Sequence, residues 1–133
     1  MDYCIILYED RPDRGHWTAL SKYNGIYEHF DSYGNRPEKS LERVHMKMRR
    51  RLNMATPYLT NLLRDNEYIY NNVKYQDRYG YVNTCGSHVV HRLYRLKNDG
   101  MDLQAYYEFM KPIKDEFAIN YDIIVAEFIN KWF

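Results

Sequence analysis

The sequence predicts an α+β domain in which helices pack against one small mixed or antiparallel sheet. Three observations carry this. Strand-like segments crowd the first third of the chain around an Asn-Gly pair. Apolar residues at helical spacing recur through most of the remainder. The 133 residues, 45% of them hydrophobic, suffice for one core and hence one domain spanning 1–133.

"DYCIILY" (2–8) is a short apolar run rich in β-formers and reads as a buried strand with Cys4 in the core. "EDRPDRG" (9–15) is charged and carries Pro and Gly, as a loop would. "HWTALSKY" and "IYEHFDSYG" flank Asn24-Gly25 and form the clearest hairpin signal, because a type I′ turn needs two positive-φ residues. Residues 37–54 read as one helix: Pro37 suits its first turn, Leu41, Val44, Met48 and Leu52 form its apolar stripe, and Arg49, Arg50 and Arg51 lie near its negative end. A short helix over 56–66, an alternating strand-like segment over 67–76 and a loop over 77–83 follow. A helix over 84–96 presents Val89, Leu93 and Leu96 on one face, and Asn98-Asp99-Gly100 ends it. Two more helices, 101–111 and 120–133, have Asp102 and Asn120 as N-caps, with Pro112 separating them.

The formal net charge of +1 provides no overall field to drive nucleic-acid binding. Fifteen tyrosines lift the aromatic fraction to 17%, which favours half-buried surfaces with wet rims. The tyrosine-rich 68–81 stretch reads equally as such a substrate rim or as a plain strand and loop. Cys4 and Cys85 could form one disulfide. With no charged-then-apolar leader and no apolar run approaching ~18–20 residues, a reducing compartment with two free thiols and no membrane association is expected.

"NTCGSHVVHRL" (83–93) holds the candidate chemistry. A thiol of ordinary pKa is mostly protonated at neutral pH, but a helix N-terminus and a nearby imidazolium both favour the thiolate. Cys85 in a first helical turn meets the first condition, and Gly86 lets a substrate come close. For the second, an antiparallel hairpin brings His16, at the start of one arm, beside Asp31, at the end of the other. A carboxylate there can hold the imidazole in one tautomer and stabilise its cation. Cys85, His88 and His91 also suggest zinc, but a structural zinc wants four ligands in paired clusters, so no metal is expected. His88 and His91 then read as polar helix positions near the site mouth or against a partner.

"GHWTAL", "FDSYG" and "NTCGSH", in this order, resemble the papain-like superfamily that holds the adenovirus-type maturation proteases and the SUMO proteases. The resemblance covers residues 3 to about 96. It implies a papain-like fold in a compact form without the N-terminal lobe of larger relatives. It implies Cys85 as nucleophile, His16 as general base and Asp31 as its orienting carboxylate. Asp31 replaces the adenoviral Glu and matches the "DS" of the SUMO proteases. Gln76 matches the side chain that shares the oxyanion hole with the Cys85 N–H. The interval from Gln76 to Cys85 is longer than is usual in the family, and Asn83 is the alternative donor. Trp17 and Gly86 would wall a groove that accepts a small residue. "TCG" before a basic, His-containing helix resembles proteases of large DNA viruses, virophages and related mobile elements.

The function these readings imply is a cysteine endopeptidase that needs no cofactor and cuts viral capsid or structural precursors after a small residue such as Gly. It would be a monomer, acting in the virion or the host cell interior, and DNA or a viral peptide could activate it. Arg49, Arg50 and Arg51 are the candidate nucleic-acid patch, although a charge run at a helix end also serves as a solvated face complementing the dipole. An isopeptidase acting on a ubiquitin-like modifier, an acyltransferase using the same triad and an inactive nucleic-acid-binding virion protein are the competing functions.

Overall fold

A computed structural model describes residues 1–77 and 84–132. Strands β1 (Asp2–Arg11), β2 (Arg14–Tyr23), β3 (Ile26–Phe30) and β4 (Tyr68–Tyr70) form a mixed sheet in the order β1-β2-β3-β4. The first two pairings are antiparallel and β3–β4 is parallel. The helices are α1 (Met46–Arg51), α2 (Tyr58–Arg64), α3 (Cys85–Asp99), α4 (Leu103–Phe117) and α5 (Tyr121–Trp132), with a 3-10 turn at Lys39–Arg43. The α+β architecture expected from the sequence is therefore present.

The β2–β3 hairpin turns on Asn24 and Gly25 at φ 52° and 79°, as a type I′ turn requires. Its register opposes Ala19 to Phe30, which leaves His16 and Asp31 near the same end of the pair. The core lies between this sheet and the C-terminal helices: Ala19 and Phe30 meet Val89 and Leu93 of α3, Tyr106 and Met110 of α4, and Tyr121 and Val125 of α5. Tyr75 joins them edge-on, its ring 5.3 Å from Tyr106 and 4.9 Å from Tyr121. A buried fork clamps α3 to β3: Arg92 donates to both Glu28 oxygens at 3.0 and 2.6 Å and to the Met101 carbonyl at 2.8 Å. Apolar packing and this ion pair together set where α3 begins above the sheet.

Five expectations change. β1 is an edge strand and is largely exposed, so Cys4 is exposed rather than core; a strand with one neighbour has little to bury it. The 9–15 segment is not a loop, because β1 and β2 run almost to a tight turn at Pro12-Asp13, with Asp13 at φ 58°. Gly15 is required there: a Cβ would lie 2.0 Å from the Tyr8 carbonyl oxygen. The 37–54 helix is broken, since Val44 is extended and His45 caps a new helix by accepting from the Lys47 N–H at 3.1 Å. Only 68–70 of the 67–76 segment pairs as a strand. Helix α4 continues through Pro112 to Phe117 rather than stopping before it.

Candidate active site

His16 Nε2 lies 2.7 Å from Asp31 Oδ1. Asp31 is fully buried at the end of β3. Its Oδ1 also accepts from the Tyr33 N–H at 2.8 Å, and its Oδ2 accepts from the Ser40 hydroxyl at 3.4 Å. The carboxylate is thus fixed before it orients the histidine. The Tyr33 ring stacks on the imidazole, centroids 4.4 Å apart at 22°, and restricts it further. With Nε2 committed to Asp31, Nδ1 is left to face the thiol.

Cys85 is the first residue of α3 and is 2% exposed. It hydrogen-bonds His16, and the Trp17 backbone N–H points at its sulfur from 3.5 Å. Burial alone would raise the Cys85 pKa. Hydrogen bonds from His16 and from the Trp17 and Gly86 N–H groups outweigh it and hold the thiol below its ordinary value. Burial likewise opposes the His16 cation, but the bonds to Asp31 and Cys85 prevail and bring its pKa up to about 9. Both shifts favour a thiolate–imidazolium pair near neutral pH.

Gln76 is 2% exposed and reaches this end of the sheet because residues 71–76 are stitched to the turn after β3. The Asn71 amide donates to the Asp31 carbonyl at 2.8 Å. The Tyr75 and Gln76 N–H groups both donate to the Ser32 carbonyl, at 2.8 and 2.9 Å. The Ser32 hydroxyl donates to Gln76 Oε1 at 2.6 Å, so Nε2 is the donor end of this amide. Asn83 lies outside the described residues. Trp17 is 40% exposed beside Cys85, and a Cβ on Gly86 would meet open space.

The other singled-out residues lie elsewhere. His88 and His91 are buried rather than at a site mouth. His88 Nε2 bonds Asp122 Oδ1 at 2.8 Å; His91 Nδ1 bonds the Tyr106 hydroxyl at 2.7 Å. Cys85, His88 and His91 therefore face three different partners. Burial, followed by Arg95, lowers the His91 pKa to about 3. Arg49 Nε donates to the Val44 carbonyl at 2.8 Å, while Arg50 and Arg51 are exposed at the end of α1.

Sequence reasoning missed the Trp17 N–H on the sulfur, the Tyr33 stack and the Ser32 grip on Gln76. The last two involve Ser32 and Tyr33, which directly follow Asp31 in the "DSY" run, so their adjacency to that carboxylate was the available signal.

Fold and site define an α+β protein carrying a Cys-His-Asp constellation. No family model and no solved structure matches the chain. It is similar to uncharacterized protein V9 of the Sputnik virophage, 36% identical over 115 residues that cover 84% of this chain. The matched region spans 62% of that relative's length. Among the described residues, no helix is long and apolar enough to cross a membrane.

Proposed function

We propose that this chain is a papain-like cysteine endopeptidase that processes viral structural precursors after a small residue such as Gly. The observation that carries the reading is the linked set Cys85–His16–Asp31, closed by the 2.7 Å His16–Asp31 bond with the thiol at the start of α3. The likeness to a virophage protein supports the viral setting.

In this reading the Cys85 thiolate attacks the scissile carbonyl, a C–S bond forms and the carbonyl electron pair moves to oxygen. The Cys85 N–H and Gln76 Nε2 hold that oxyanion. His16 gives its proton to the leaving amine as the C–N bond breaks, which leaves an acyl thioester. Neutral His16 then takes a proton from water as the water attacks. Collapse of the second tetrahedral species releases the acid and restores thiolate and imidazolium. Asp31 stays ionised throughout and stabilises the cation. In this reading Trp17, exposed beside the sulfur, would wall the substrate groove and restrict it to a small residue.

The test is cleavage of co-expressed precursor proteins by the wild type and by Cys85→Ala. Loss of all cleavage in a folded Cys85→Ala protein is expected. Unchanged cleavage would remove the proposal. Exclusive cutting of ubiquitin-like conjugates would move it to an isopeptidase.

A further inference from the structure

Asp122, in the first turn of α5, holds groups from both sides of the catalytic helix start. Its Oδ2 accepts from the Asp77 N–H at 3.1 Å. Its Oδ1 accepts from the Thr84 hydroxyl at 2.5 Å and from His88 Nε2 at 2.8 Å. Asp77 directly follows Gln76, and Thr84 directly precedes Cys85. We infer that Asp122 is a positioning residue for the oxyanion hole: one carboxylate joins the backbone beside Gln76 to the hydroxyl beside Cys85 and so sets the separation of the two donors. This inference rests on the peptidase reading.

Three features favour this role over a general tie between helices. Thr84 stands at the N-cap of α3, yet its hydroxyl goes to Asp122 and makes no cap bond. A Thr at this position ordinarily satisfies its own helix, so the bond to another element is a diverted one. His88 is fully buried one turn into α3, its N–H bonded to the Thr84 carbonyl at 2.9 Å. Its Nδ1 is buried without a hydrogen-bond partner among the described residues, so Asp122 is what orients the ring. Burial pushes the Asp122 carboxyl pKa up, but bonds from His88, Thr84 and the Asp77 N–H hold it below its ordinary value. The carboxylate is therefore charged while it accepts all three.

The donors of an oxyanion hole act through their distance from the developing charge, and a displacement of about 1 Å can cost on the order of a hundredfold in rate. The expected signature of Asp122→Ala is a fall in kcat on that order with KM little changed. Alkylation of Cys85 by iodoacetamide needs the thiolate and not the oxyanion hole, so its rate is expected to stay within about twofold. Asp122→Asn, which keeps one acceptor oxygen, is expected to lose less and covers the case in which the alanine variant does not fold. In the double variant with Gln76→Ala the losses in kcat are expected to fall well short of their product, since both act on one donor. Three results would overturn the inference: unchanged kcat in the folded variants, parallel loss of kcat and alkylation rate, or fully multiplicative losses. A wild type that cleaves no precursor removes the peptidase reading itself; a wild type that cleaves, with Asp122 variants of equal activity, removes only this inference.

Discussion

Replacing Asp31 by Asn keeps the shape of the site and removes its charge. The magnitude follows from His16. Its pKa of about 9 stands above the ordinary 6.5 although burial works against the cation, and the bond to Asp31 contributes most to the rise. That difference corresponds to roughly 3 kcal/mol of net imidazolium stabilisation from Asp31 and Cys85 together at 1.36 kcal/mol per pKa unit, or about two orders of magnitude in population. Without the carboxylate, burial is opposed only by the contact with Cys85, so the His16 pKa falls and the thiolate–imidazolium pair is less populated near neutral pH. The assay is the pH profile of Cys85 alkylation by iodoacetamide, read by mass spectrometry, beside kcat/KM on a cleaved substrate. The wild type is expected to react fast from well below the ordinary thiol range; Asp31→Asn is expected to need a higher pH and to lose about a hundredfold in kcat/KM at pH 7. A folded-state pKa raised above the unfolded one contributes stability that is full below pH 6.5 and is lost as pH rises through about 9. The stability gap between wild type and variant should therefore close above that pH. An Asp31→Asn protein with an unshifted alkylation profile would mean that Asp31 does not hold the imidazolium.

Three further outcomes are expected. His29 and His91 are buried, and burial lowers their pKa values to about 4 and about 3. Lowered histidines contribute stability that is full above 6.5 and is lost as pH falls, so urea midpoints should drop between pH 6.5 and 4 by the equivalent of roughly 3 kcal/mol for each residue. Glu28→Ala leaves the Arg92 guanidinium buried against the Tyr106 ring without its carboxylate, and chemical denaturation should show a loss of roughly 3–5 kcal/mol. On the peptidase reading, Gln76→Ala would remove an oxyanion donor and should lower kcat by roughly 10²–10³ with KM little altered, in steady-state kinetics.

The half of the site on the hairpin was legible because its cause is local. Asn24-Gly25 dictates the turn, the turn dictates the register, and the register brings His16 to Asp31. Cys85 at a helix start was legible from the apolar period of Val89, Leu93 and Leu96 and the Gly100 stop. Most of what was not legible depends on distant partners. β1 looks like a core strand in composition, and only its place at the sheet edge exposes Cys4. The 37–54 periodicity suits one helix, yet His45 turns back to cap Lys47 and starts a second. Pro112 signals a stop in isolation, but α4 continues past it toward the aromatic cluster around Tyr121. His88 has the spacing of a surface position until α5 brings Asp122 against it.

A Cys85 nucleophile paired with His16 has a direct chemical signature. The most direct measurement is covalent capture by a peptide electrophile ending in a glycine vinyl ester, with the modified residue identified by peptide mapping. One equivalent on Cys85, none on the exposed Cys4, and loss of capture in His16→Ala are the results expected. Labelling of Cys4 in preference to Cys85, or capture at Cys85 that is indifferent to His16, would contradict this assignment.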